Sequence, residues 1–203
     1  MTAARRPRLP LAVASMAAVA ALLSACGNQQ PGAAATLGDT RISEQTLSSE
    51  VQAVLAAKGQ PTTSVDQSLP PEMLSRIITI ELVDELAGRQ GIVVTQGQID
   101  EQLANYEGQA GDRAAVEKLF IEQGVAPTQI ESIVKLNIQA QELGIAIAPN
   151  GSAEEQGQAV VEAVVALSEE LDTTVSPRFG TWDAATISVG PTPDDLSTPP
   201  ALG

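Results

Sequence analysis

The stretch Pro70-Pro71-Glu72-Met73-Leu74-Ser75-Arg76-Ile77-Ile78-Thr79-Ile80-Glu81-Leu82-Val83-Asp84-Glu85-Leu86-Ala87-Gly88-Arg89 decides the fold. Two successive prolines suit a first helical turn, where backbone N–H groups have no intrahelical acceptor to lose. Leu74, Ile77, Ile78, Ile80, Leu82, Val83 and Leu86 then nearly encircle the helical cylinder. A helix that is apolar around most of its circumference needs cover on every side, so this one is expected at the centre of the domain. Gly91 stands just past its end, the position of a C-terminal glycine cap.

Upstream, residues 59–70 read as a polar loop, and Gly59 and Pro61 end an earlier helix. That helix carries Leu47, Val51, Val54 and Leu55 on one face, with Ser43 at its N-cap position. Before it, Ala34 to Leu37 reads as a short strand turning at Gly38-Asp39. Downstream, Thr95-Gln96-Gly97-Gln98 is a capping box opening a helix with Ile99, Leu103 and Tyr106 inward, broken by Gly108 and Gly111. Asp112 caps the next, with Val116, Leu119 and Phe120 on one face and Gly124 closing it. Pro127 starts a helix carrying Ile130, Ile133, Val134 and Ile138, which runs to about Leu143 or Ile147. Pro149-Asn150-Gly151 is a turn, and Ser152 with Glu155 forms a second capping box before a helix marked by Val160, Val164, Leu167 and Leu171. Residues 175–182 read as extended, since Pro177 disfavours helix at Ser176.

The expected fold is therefore mainly α: five to six helices with two short terminal strands. A lone strand leaves backbone donors and acceptors open, so pairing between these two strands is expected.

The N-terminus has its own pattern. Arg5, Arg6 and Arg8 precede an apolar run from Leu11 to Leu23, and Leu23-Ser24-Ala25-Cys26 follows. A basic start, a short apolar core and small residues describe a secretory signal, and the run falls short of the ~20 residues that span a bilayer. Leu-Ser-Ala-Cys resembles the bacterial lipobox, which implies cleavage after residue 25 and lipid attachment at Cys26. Cys26 is the sole cysteine, so an intramolecular disulfide is impossible. Two acyl chains on this residue give a stable anchor where one gives a marginal one. The expected location is the extracytoplasmic face of the cell membrane.

Composition narrows the function. The full chain holds 11 basic and 25 acidic residues. The leader takes three of the bases and none of the acids, so cleavage leaves 178 residues with a net charge of −17. Such a surface argues against nucleic acid, whose binding rests on neutralising phosphates. There is no histidine, hence neither the commonest general base nor the commonest metal ligand. No Ser-His-Asp, P-loop or GxGxxG pattern is present. The expectation is a protein that is not an enzyme, with no cofactor, no metal and no small-molecule substrate.

The order of strand, amphipathic helix, long aliphatic helix and then Gly91-Ile92-Val93-Val94-Thr95 leading into short helices carries a resemblance. With the segment from Ala34 to Ser43, it resembles the N-terminal domain of SurA-type chaperones, most of all the lipoprotein version from high-GC Gram-positive bacteria. Val175-Ser176-Pro177-Arg178-Phe179-Gly180-Thr181-Trp182-Asp183 is similar to that family's closing strand, which pairs back onto the opening one. In SurA and PrsA relatives a parvulin-type prolyl isomerase domain is inserted before that strand. Here the interval from Leu143 to Val175 is too short for one, and the histidines usual in parvulin sites are missing. The resemblance implies a division into a signal peptide (1–25), a tether (26–33), a helical chaperone domain (34–183) and a disordered tail (184–203), Pro-, Asp- and Thr-rich from about Pro191.

The function so implied is a membrane-tethered, chaperone-like protein that binds unfolded or newly exported polypeptides through an apolar cleft between helices, without isomerase activity. The alternative is a scaffold lipoprotein for one dedicated envelope partner. The one assigned site is lipid attachment at Cys26; no peptide-binding residue is assigned. Arg178, Phe179 and Trp182 form the most suggestive cluster, an arginine beside aromatics, although packing of a closing strand explains them as well. Glu154 and Glu155 suit the N-terminus of the last helix, Asp194-Asp195 suits a solvated tail, and Tyr106 fits either core or surface.

Overall fold

The computed structural model describes residues 32–63 and 66–192. They form six helices and five short strands, a mainly helical fold. Cys26, the leader and Asp194-Asp195 lie outside the described residues.

The long aliphatic stretch becomes α2 (Leu69–Arg89), with its prolines in the first turn. It buries Leu69, Met73, Leu74, Ile77, Ile78, Leu82, Val83, Leu86 and Ala87, and each aliphatic side chain so buried contributes roughly 1.5–3 kcal/mol. The reason for its all-round apolarity is visible in its neighbours. α1 (Glu44–Ala57), α5 (Ile130–Ile147) and α6 (Ala153–Glu170) all pack on it, as do strands from both ends of the fold. Gly91 follows at φ 71°, as its glycine-cap position requires.

Local capping sets the other helix starts. The Ser43 hydroxyl accepts from Thr46 N–H at 2.9 Å before α1. Thr95 and Gln98 close a reciprocal capping box on α3 (Gln96–Ala110), and Ser152 and Glu155 do so on α6. Asp112 accepts from Ala115 N–H at 2.8 Å at the head of α4 (Arg113–Glu122). Pro127 opens a single 3₁₀ turn, Pro127–Gln129, rather than the α-helix expected there; α5 begins three residues later. The α5 and α6 helices approach closely at Gly144, where an added Cβ would stand 3.0 Å from the Gln156 Cβ.

The opening strand is β1 (Ala33–Leu37), which hairpins at Gly38 into β2 (Thr40–Ser43) and pairs on its other edge with β3 (Thr174–Val175). The two ends of the fold do meet, in antiparallel register with Ala35 opposite Val175 and Thr36 opposite Thr174. Ser176 N–H adds a bond to the Ala34 carbonyl at 2.9 Å. Alanines at 33–35 are buried, and β1 packs against α2. β1 begins at Ala33, one residue before the expected start of the domain.

The closing segment differs from expectation. It is not one strand from Val175 to Trp182. The chain turns through Pro177–Gly180, with Phe179 N–H donating to the Ser176 carbonyl at 2.9 Å and Gly180 at φ 131°. It then forms β4 (Thr181–Asp183), whose partner is β5 (Ser188–Gly190), not β1. The fold therefore does not end at Asp183, and residues 184–192 belong to it rather than to a disordered tail. Val189 and Ile187 pack on the core, and Val189 N–H donates to the Ser75 hydroxyl of α2 at 2.8 Å.

Candidate functional site

The suggestive trio at the closing segment is divided by the structure. Trp182 is half-buried, and its indole N–H donates at 2.8 Å to the Ser168 hydroxyl, itself 1% exposed. That is a packing role, which satisfies the polar end of a buried aromatic. Arg178 and Phe179 instead line a groove between α1, the start of α2 and the 177–180 turn, beside Val51 and Pro70. The Arg178 guanidinium lies 5.0 Å from the Phe179 ring centroid and donates to Glu44 at 2.8 Å. Its charge is thus already engaged. Glu155 serves its capping box: the Ser152 N–H it accepts holds its carboxyl below the usual glutamate range. Glu154 sits beside it in the first turn of α6.

A second cleft, of about 480 Å³, opens between α3, α4 and α5, a size within the range of ligand-binding clefts. Its floor is Val116, 2% exposed, with half-buried Tyr106, Phe120 and Ile133 around it. Tyr106 and Phe120 meet at 6.3 Å between ring centroids, tilted by 54°, an arrangement favoured by the ring quadrupoles. Leu119, 50% exposed, stands at the edge. The amides of Gln109, Gln123 and Asn137 complete the lining, which contains no charged side chain. Leu119 and Phe120 were legible as one face of α4, whereas Tyr106 fitted either core or surface and is half-buried. Their convergence on α5 was not legible, because a helical period identifies a face and not what the face meets.

The cleft walls belong to a small core of their own: Ile99, Leu103, Val125, Ile130 and Val134. α5 contributes to both cores, and polar side chains of α2 add further ties. From α2, Arg76 donates to the carbonyl of Gly124 at 2.6 Å and of Gln123 at 3.2 Å. These carbonyls lie at the C-terminal end of α4, where unpaired acceptors and the helix dipole favour a cation. The guanidinium is half-buried, and desolvation draws its pKa down. Nearby on α2, Asp84 bonds Lys135 and, at 2.8 Å, Gln139. Burial and the neighbouring Asp84 raise the pKa of Glu81.

Among the described residues no group of His, Cys, Asp and Glu is placed to hold a metal ion, and no helix is long and apolar enough to cross a membrane. What the α3–α4–α5 cleft can do chemically is bind: it offers apolar surface, π faces and neutral amides.

A family model described as a SurA-like N-terminal domain matches residues 9–144, more than half of the chain. The match ends inside α5, so α6 and the C-terminal strands lie beyond it. Searches among curated proteins and among solved structures return no match.

Proposed function

We propose that this chain, which belongs to the SurA-like N-terminal domain family, is a chaperone-like protein that holds non-native polypeptide segments non-covalently in the cleft between α3, α4 and α5. It does so on the extracytoplasmic face of a membrane, anchored by lipid on Cys26. The observation that carries this reading is the cleft itself. Leu119 remains open to solvent beside half-buried Ile133 and two of the chain's four aromatics. Sheltering apolar segments of a client is the ordinary use of such a groove, and membership of a chaperone-like family points the same way. The interval where enzyme-bearing relatives carry an isomerase is filled by α6 and its flanking turns, which supports binding without isomerase activity.

The test is suppression of aggregation by protein beginning at Gly27, added to several unrelated unfolding clients and followed by light scattering. Suppression across clients, weakened by Leu119→Gln, is the expected result. No suppression of any client would sink the general reading and favour one dedicated envelope partner. The anchor is tested separately: Cys26→Ser is expected to release the protein from membranes, and retention of that variant would remove lipidation from the proposal.

A further inference from the structure

We infer that the cleft takes a particular class of client: an extended, uncharged apolar segment flanked by lysine or arginine. This rests on the chaperone-like reading above and adds the client's chemistry to it.

The electrostatic argument starts from a contrast. The lining holds no charge, yet the elements that wall it are strongly acidic. Between Gln96 and Glu142 there are eight acids against three bases. Each base is already matched: Arg113 to Glu107 and Glu117, Lys118 to Glu122, and Lys135 to Asp84. A charge in the centre of a client segment would be desolvated against neutral walls with no counterion, which is costly. Cations on either side of it would remain in water and meet a net negative field, which favours encounter and holding. Acidic flanks would be repelled by the same field.

Extended conformation follows from the amides. Within the described residues, the side chains of Gln123 and Asn137 make no hydrogen bond, and that of Gln109 bonds only to the Asn105 carbonyl of its own helix. Each amide offers donors and an acceptor. An extended chain presents free backbone N–H and C=O groups to match them, whereas a helix has already paired its own. Apolar side chains of the segment then face Val116, Phe120 and Ile133 while its backbone meets the rim.

The experiment uses fluorescently labelled peptides and protein beginning at Gly27. Four peptides share one neutral apolar core: flanked by lysines, flanked by glutamates, lysine-flanked with one aspartate in the core, and lysine-flanked with N-methylated core amides. The lysine-flanked parent is expected to bind about tenfold tighter than the glutamate-flanked one at low ionic strength, with the gap closing as salt screens it. The core aspartate and the N-methylation are each expected to weaken binding, as is Leu119→Gln, an exposed change that circular dichroism can show to be folded. Equal affinity for both flanks, indifference to N-methylation, or full binding by Leu119→Gln would overturn the inference. Aggregation suppression with no flank preference would defeat this inference alone; loss of both suppression and peptide binding would defeat the functional reading beneath it.

Discussion

The two apolar cores of this chain are built in opposite ways. The larger one gathers α1, α2, α6, part of α5 and strands from both ends, so its members run from Ala34 to Val189. The smaller one is drawn from a single continuous stretch, Val94 to Ile138. A core closed by distant segments is lost as a unit, whereas one made of local contacts has less holding it and opens at lower cost. The cleft between α3, α4 and α5 lies on the second. The difference sets a core closed by residues from both ends of the fold against one that borders an open, largely apolar surface.

That contrast can be broken or sharpened. The largest effect is expected from Ile78→Ala at the fully buried centre of α2, a loss of about 3–4 kcal/mol that lowers the unfolding midpoint of both cores together in urea. Ending the chain after Asp183 removes β5 and with it Val189 and Ile187, at a cost of about 2–3 kcal/mol. Ending it after Thr192 is expected to leave the thermal midpoint unchanged. If the two truncations melt alike, β5 does not help close the large core.

Arg76→Met removes one of the ties between the cores. It removes two bonds to α4 carbonyls from a half-buried position, at a cost of about 2 kcal/mol. Hydrogen exchange is expected to quicken in α3 and α4 while α2 stays protected. Uniform quickening across all helices would mean the cores are one cooperative unit. The smallest effect concerns Glu81. Its carboxyl pKa is raised in the fold, so the folded state binds its proton more tightly than the unfolded one does. Its stabilising contribution is present at low pH and is lost as pH rises through the folded pKa. Glu81→Gln is expected to melt slightly higher than the parent at pH 7 and no higher at pH 4. The gain is small because the group is partly solvated.

The helical frame was largely legible in the chain because its signals are local. Ser43, Thr95, Asp112 and Ser152 each cap a helix through their own neighbours three residues on, and the centrality of α2 is written in aliphatics that nearly encircle it. β5 was not legible: three residues with one large apolar side chain, set among Thr, Pro and Asp, resemble a solvated tail. They join the fold through the Ser75 hydroxyl and the surface of α2, more than a hundred residues away. Trp182 was legible as a packing residue of the closing segment, but its partner, the buried Ser168 hydroxyl, was not.

By itself, then, the sequence determined that the chain folds into five to six helices, where most of them are capped, which helix is central, and that the opening segment pairs with the start of the closing one. The helical outcomes depend on spacing and capping, which act within a few residues, and the pairing on the open backbone groups of a lone strand. Only the tertiary structure decided that the aliphatic faces sort into two cores, that Arg76 bridges them, and that Tyr106, Phe120 and Ile133 converge beside an exposed Leu119. Burial is settled by which surfaces meet, and that depends on the packing of every element at once.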